Sequence, residues 1–159
     1  KKEYLQAVEY HQKALVSFTE CAGRKRDVSR VYSNMAELYK SMGRLDDAVE
    51  SYKNSLSALT LLDSPPRSEV AALNYFMGDV LRALGKHEEA AEAFECSRRC
   101  YSSLPDMKYK LLQCYADLVN EYTCLEQYDR VLSLLQDVQT LCTDVYGEDS
   151  METASAIVR

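Results

Sequence analysis

The sequence has little of what interrupts a helix or marks a membrane protein. Its 159 residues include five glycines, three prolines and no tryptophan. Because glycine and proline end helices and shape tight turns, their scarcity predicts helices joined by short connections. No apolar run approaches the roughly 18 residues that a membrane-spanning helix needs, so we expect no membrane insertion. No signal peptide is visible, but the chain begins within a helical pattern, so we expect it to be a segment of a longer protein.

Motifs that carry catalysis are absent as well. The sequence contains no glycine-rich phosphate loop, no GxSxG and no HExxH. The two histidines, His11 and His87, are explained better by packing or helix-start positions than by a catalytic or ligand role. Acidic pairs at 46–47 and 88–89 follow turn glycines, where carboxylates complement a helix dipole; a metal or acid–base pair is the alternative. We therefore predict no enzyme activity, no catalytic residue, no metal site and no cofactor.

Positive charge is scarce, because 25 acidic residues outnumber 19 basic ones and give a net charge of −6. This surplus of negative charge argues against a general nucleic-acid or anionic-membrane binder. The basic run at 24–26 has two interpretations, namely a contact with an acidic partner or part of a localisation signal, and a solvated joint between helices. We favour the solvated joint. A hydrophobic content of 47% with 28% charged residues indicates a folded domain.

The six cysteines include no CxxC pair. Cys96 and Cys100 are four residues apart, a spacing that does not by itself define a zinc site. Three cysteines, Cys96, Cys114 and Cys124, fall within predicted helices, whereas Cys100 and Cys142 lie near helix ends and Cys21 beside a joint. In such positions a reduced cysteine behaves as a small core-filling residue. We therefore predict six free thiols and, because disulfides are rare in the cytosol, a cytoplasmic location.

The sequence does contain one pattern in three copies. In each copy the first helix carries a stripe of large, apolar, small and aromatic residues, because residues three and four apart share a face. In the first two copies a glycine ends that helix, and in all three a second helix follows with two motif positions four residues apart. The copies are Tyr32-x2-Met35-Ala36-x2-Tyr39, Gly43 and Ala48-x3-Tyr52; Asn74-x2-Met77-Gly78-x2-Leu81, Gly85 and Ala90-x3-Phe94; and Tyr115-x2-Leu118-Val119-x2-Tyr122 and Val131-x3-Leu135.

The small residues that open the second helices are Ala7, Ala48, Ala90 and Val131, so the pattern recurs every 41 or 42 residues. It resembles the tetratricopeptide repeat, whose signature is W-x2-L-G-x2-Y followed by A-x3-F and whose period is about 34 residues. The longer period is similar to that of kinesin light chains and Pins-type polarity scaffolds. The stretch 146–154 looks like the joint between repeats of the kinesin light-chain type. The resemblance implies an all-α superhelix, or α-solenoid, of antiparallel helical hairpins.

We predict a single domain of complete and partial repeats. Its units are a second helix at 1–22, hairpins at 27–63, 66–104 and 107–146, and the first helix of a further repeat at 149–159. Asp27 and Ser64 are predicted to cap helices. The third hairpin departs from the pattern, because Glu126 replaces the turn glycine and Val119 and Val131 replace the small residues. We expect its helices to lie farther apart or to cross at a different angle.

The resemblance places the binding surface on the concave face of the superhelix, which the first helix of each repeat lines. A second stripe on those helices carries the predicted partner-binding residues Arg30, Ser33, Glu37, Lys40, Tyr75, Asp79, Arg82, Gln113 and Asn120. Tyr75 and Arg82 are the expected hot spots, because Tyr and Arg are enriched among them. A solvated helix face without a ligand is the alternative interpretation of this stripe.

The charges of this stripe indicate the kind of partner. Repeats of this family that clamp the C-terminus of chaperones place Lys, Asn and Arg here, whereas Glu37 and Asp79 would repel a terminal carboxylate. We therefore disfavour chaperone docking and expect a protein or peptide segment of mixed charge. The predicted function is a non-enzymatic scaffold or adaptor. The alternatives are a purely architectural or self-associating array, and regulation of an enzyme elsewhere in the same polypeptide.

Overall fold

Seven α-helices make up most of the chain that the computed structural model describes, residues 2–19 and 24–146, with side chains at 6–17 and 24–143. They are α1 (Lys2–Thr19), α2 (Lys25–Ser41), α3 (Leu45–Thr60), α4 (Arg67–Ala83), α5 (His87–Ser102), α6 (Lys108–Cys124) and α7 (Tyr128–Tyr146). These two ranges contain no strand, so the predicted all-α class is confirmed. The predicted helix at 149–159 and the thiol of Cys21 lie outside them.

The helices pack as successive hairpins. α2 packs against α3, α4 against α5 and α6 against α7, and a three-residue turn reverses the chain within each pair. Contacts of α1 with α2, α3 with α4 and α5 with α6 stack each unit on the next. The three hairpins span residues 25–60, 67–102 and 108–146. No helix in the described part is long and apolar enough to cross a bilayer.

The same backbone turn closes the first helix of all three hairpins. Gly43 and Gly85 have φ of 75° and 73°, and the following residue donates its N–H to the carbonyl five residues back in a Schellman motif. Glu126 occupies the equivalent position with φ of 57°, and its neighbour Gln127 donates to the Tyr122 carbonyl at 2.8 Å. The turn therefore forms without glycine, although a side chain is strained in this left-handed conformation.

Two predicted helix caps are wrong. α2 begins at Lys25, and Asp27 lies in its first turn, where it accepts a hydrogen bond from Arg30 at 2.8 Å. α4 begins at Arg67 after an extended Pro66, so Ser64 lies outside the helix. The reason is steric, because Pro65 would be the first helical residue after a Ser64 cap, but it precedes Pro66 and is therefore driven out of the helical conformation.

The core follows the small and aromatic positions of the repeated pattern. Ala36, Ala48 and Tyr52 are fully buried in the first hairpin, as are Ala90 and Phe94 in the second. Gly78 lies directly against the second aromatic, since a Cβ added to it would be 2.8–2.9 Å from three ring carbons of Phe94. The absence of a side chain at this position therefore allows α4 and α5 to approach each other closely.

The third hairpin is packed differently from the other two. Val119 and Val131 are half-buried, whereas the alanines at the corresponding positions of the first hairpin are completely covered. Within the described residues, α6 and α7 also share fewer close contacts than the helices of either preceding hairpin. Bulkier side chains at the crossing point provide the physical reason for the looser contact.

Candidate functional site

A groove of about 810 Å³ runs between α2 and α4, the first helices of two successive repeats. Five of the predicted partner-binding residues line it together, namely Arg30, Ser33, Glu37, Lys40 and Asp79. The other lining residues are Arg26, Asp27, Ser29, Asn34, Tyr52, Glu69, Ala72, Leu73 and Phe76. Residues 42 positions apart in sequence therefore share one surface, because equivalent positions of stacked helices lie side by side.

Ion pairs occupy the end of the groove nearest the helix N-termini. Arg26 on α2 forms an ion pair and a hydrogen bond with Glu69 on α4, which bridges the two helices. One turn further along α2, Arg30 is paired with Asp27 at 2.8 Å. At this end each arginine already has a carboxylate partner.

The middle of the groove contains a buried hydroxyl. Tyr52 on α3 is completely buried, and its hydroxyl donates a hydrogen bond to a carboxylate oxygen of Glu37. Burial raises the pKa of Tyr52 first of all, and the Glu37 hydrogen bond and the nearby charges of Glu37 and Asp79 raise it further. Both carboxylates therefore lie close to the same hydroxyl, although they come from different helices.

Asp79 lies near the C-terminal end of α4. Its pKa is raised mainly because burial disfavours the charged form, and the charge of Asp117 adds to the effect. Arg82 and Lys40 act in the opposite direction without cancelling it. Asp79 is thus a partly buried carboxylate whose pKa is raised even though Arg82 donates a hydrogen bond to it.

Sequence reasoning missed two accessible groups of the groove, Asn34 and Phe76. Asn34 is exposed, and its side chain makes no hydrogen bond to the part of the chain that the structure describes. Phe76 is 43% exposed. Its ring and the Tyr75 ring meet edge to face, with their centroids 6.1 Å apart. The two residues are 42 apart, so the repeat period itself was the signal that places them on one surface.

Tyr75 and Arg82, the expected hot spots, lie in the contact between α4 and α6. The Tyr75 hydroxyl donates to Asp117 at 2.7 Å, and Arg82 donates to Asp117 and Asp79, each at 2.5 Å. Arg82 is also 3.7 Å from Glu121, a carboxylate that is 1% exposed and bonded to His87 at 2.7 Å. Tyr75 and Arg82 therefore make contacts within the array as well as lying on the predicted stripe. Their role in partner binding stays a prediction.

The remaining predicted residues, Gln113 and Asn120, are exposed on α6 and do not line the groove between α2 and α4. A smaller depression of about 380 Å³ lies between α5 and α7, on the second helices of two repeats. In the described ranges, no three His, Cys, Asp or Glu side chains are grouped so that they could hold a metal ion. The geometry thus provides a polar groove between α2 and α4.

Stacked helical hairpins with a groove between their first helices define a helical repeat protein. Models of the tetratricopeptide repeat match this chain over residues 1–60 and 71–95, which together exceed half of its length. The chain belongs to the tetratricopeptide repeat family, and the predicted family is confirmed. Membership gives the chain a protein-interaction role in general terms, since proteins built from these repeats are generally non-enzymatic scaffolds.

Two known proteins are similar to this chain. Protein KINESIN LIGHT CHAIN-RELATED 3 of Arabidopsis thaliana is 26% identical over 131 residues, which are 81% of this chain and 20% of that protein. The crystal structure of BtubC (BKLC) from P. vanneervenii superimposes with a TM-score of 0.66 at 15% identity, covering 98% of this chain and 60% of that one. At this low identity the second comparison shows the fold alone. The chain spans about a fifth of the length of the plant relative.

Proposed function

We propose that this chain is a scaffold whose groove between α2 and α4 binds an extended peptide segment of a partner protein. The observation that supports the proposal is the combination of the groove's size with an exposed Phe76 and polar groups of both charges. A volume of about 810 Å³ lies within the range of roughly 300–1,000 Å³ that is typical of ligand sites.

The polar groups of the groove suit a peptide backbone and mixed side chains. Asn34 can donate and accept, so it can pair with both the N–H and the C=O of an extended chain. Lys40 and Glu37 are exposed and offer a cation and an anion one helical turn apart. A segment that presents both charges matches this arrangement better than an acidic C-terminus does, because Glu37 and Asp79 would repel a terminal carboxylate.

We further propose that a longer segment continues over α6, where it would reach Asn120 and Gln113. Tyr75 and Arg82 belong to this extended surface, but they also hold α4 against α6 through Asp117. Alanine substitutions there would change the stacking as well as the binding. Substitutions of Phe76 and Lys40 isolate the binding contribution better, since both residues are exposed.

A displayed library of random peptides tests the proposal, followed by titration of the selected peptides into purified variants. We expect Phe76→Ala and Lys40→Ala each to weaken binding by about 5–30-fold, the scale of an interface hot spot. Tyr109→Ala and Lys53→Ala are matched controls, because both residues are exposed and lie outside the groove. Failure to select any binding peptide, or equal losses in groove and control variants, would refute the proposal.

One observation favours the architectural alternative. Leu132 on α7 is 61% exposed, whereas Val49 and Ala91, which precede it by two repeats and one repeat, are 6% and 3% exposed. Tyr128, one turn earlier, is 58% exposed. This uncovered position suits a further helix, such as the one predicted at 149–159, or a second copy of the chain. Sedimentation equilibrium would support self-association if a dimer of the wild type were lost in Leu132→Glu.

We also propose that the protein acts as an adaptor in the cytoplasm. The cysteines of the described ranges support this, because all five carry free thiols. Unpaired thiols are typical of proteins from a reducing compartment. Imaging of a fluorescently tagged protein would test the location, and a strictly secretory distribution would refute it.

A further inference from the structure

The two ends of the groove between α2 and α4 differ in their charge balance. At the end nearest the helix N-termini, Arg26 is paired with Glu69 and Arg30 with Asp27. At the opposite end, Glu37 and Asp79 face each other from α2 and α4 across the same groove. A ligand therefore meets neutralised pairs at one end and two carboxylates at the other.

The cations near the second end do not balance its carboxylates. Arg82 donates to Asp79 and Asp117 at 2.5 Å and lies 3.7 Å from Glu121, so one guanidinium is shared by three carboxylates. The partner of Glu37 is the neutral hydroxyl of Tyr52. Lys40 is then the one other cation that lines this part of the described groove.

An aromatic side chain completes this end. Phe76 is 43% exposed and lines the groove on the same helix as Asp79, one turn earlier. The face of an aromatic ring attracts a cation, and its apolar surface packs against the alkyl stem of a lysine or arginine. A carboxylate pair beside an exposed ring is the chemistry that recognises a basic side chain.

We propose that the bound segment places a lysine or arginine between Glu37 and Asp79, with its stem against Phe76. This inference rests on the proposed function, because it assumes that a peptide occupies the groove. It adds the identity of one recognised side chain and its position along the groove. The basic residue of the segment lies toward the C-terminal ends of α2 and α4. The rest of the segment extends toward Arg26 and Glu69, which are already paired with each other.

The test begins with random peptides selected on the wild type and on Glu37→Gln. We expect lysine or arginine to be enriched at one position of the wild-type set and to lose that enrichment in the variant. For a selected peptide, Glu37→Gln should weaken binding about tenfold and reduce its dependence on salt. Glu50→Gln is the matched control, an exposed glutamate on α3 outside the groove that should leave affinity unchanged. Binding of Glu37→Lys to a peptide whose basic residue is replaced by glutamate would confirm the pairing by charge exchange.

The outcomes separate this inference from the proposed function. Peptides that lose affinity in Phe76→Ala but show no preference for a basic residue would overturn the inference and retain the groove as a binding site. Equal affinity of Glu37→Gln and wild type for a lysine-containing peptide would overturn it as well. If no peptide binds, the proposed function itself fails.

Discussion

The contact between Gly78 and Phe94 allows packing to be weighed against helix propensity. Alanine in place of a helical glycine contributes about 1 kcal/mol of stability through propensity alone. Here the new Cβ would lie 2.8–2.9 Å from ring carbons of Phe94, which is fully buried and has no room to move. Overpacking of this kind costs about 1–3 kcal/mol. We therefore expect Gly78→Ala to lower the free energy of unfolding by about 1 kcal/mol.

The first and third repeats provide matched comparisons. Ala36 occupies the position of Gly78 in the first repeat, so Ala36→Gly should also destabilise by about 1 kcal/mol, through lost propensity and lost packing. Glycine to alanine in the second repeat and alanine to glycine in the first would then both lower the free energy of unfolding. In the third repeat the corresponding pair is Val119 and Leu135. Valine is larger than Gly78, and leucine is smaller than Phe94. Phe94→Leu should therefore relieve the clash and make Gly78→Ala neutral or stabilising in the double variant.

Urea unfolding followed by far-UV circular dichroism measures all four variants. A double-mutant cycle should give a favourable coupling of about 1–2 kcal/mol between the two positions, as expected for residues in direct contact. In thermal unfolding, the loss in Gly78→Ala corresponds to a decrease of about 2–4 °C in Tm. A gain in stability in Gly78→Ala, with no coupling to Phe94→Leu, would show that the close approach does not control the hairpin.

Four further predictions concern other parts of the array. Glu126→Gly should stabilise by about 0.5–1 kcal/mol in urea unfolding, because it relieves the left-handed backbone at φ 57°; a loss of stability would contradict this. Tyr39→Ala should destabilise by about 3–5 kcal/mol, since the side chain is buried and the ring also contacts the Arg44 guanidinium at 4.7 Å. Burial raises the pKa of Cys114 to about 11, so iodoacetamide at neutral pH should modify exposed Cys124 first, as peptide mass spectrometry would show. Stability linked to Cys114 should decline as the pH rises from about 9 toward 11, because the folded state favours its protonated thiol.

The fold was predictable because the pattern encodes local geometry and contact at once. A small residue at 36 or 78 and an aromatic sixteen positions later specify both the helical faces and their close approach. The helix starts were less predictable. Ser64 has the chemistry of a cap, but the two prolines after it exclude a helical backbone there, and this steric effect outweighs the side-chain preference.

The candidate site was predictable where it depends on the repeat period. Glu37 and Asp79 are 42 residues apart and line the same groove, as stacking requires. Tyr75 was less predictable, because its surroundings depend on which side chain the next helix presents. Its partner Asp117 lies one residue beyond the equivalent position in the following repeat, so a small rotation between helices decides whether the hydroxyl faces solvent or a carboxylate. The spacing of residues along one helix does not predict how that helix is rotated relative to the next.

Arg82 has a consequence for how the array can be divided. It belongs to the second hairpin, whereas its partners Asp117 and Glu121 belong to the third, so these ion pairs form only between hairpins. An isolated third hairpin would expose or leave unpaired a carboxylate that is 1% exposed in the array. The smallest unit in which Arg82, Asp117 and Glu121 all keep their ion-pair partners therefore contains both hairpins. Repeats two and three form one cooperative block, and recombining single repeats with those of other proteins would separate an arginine from its carboxylates.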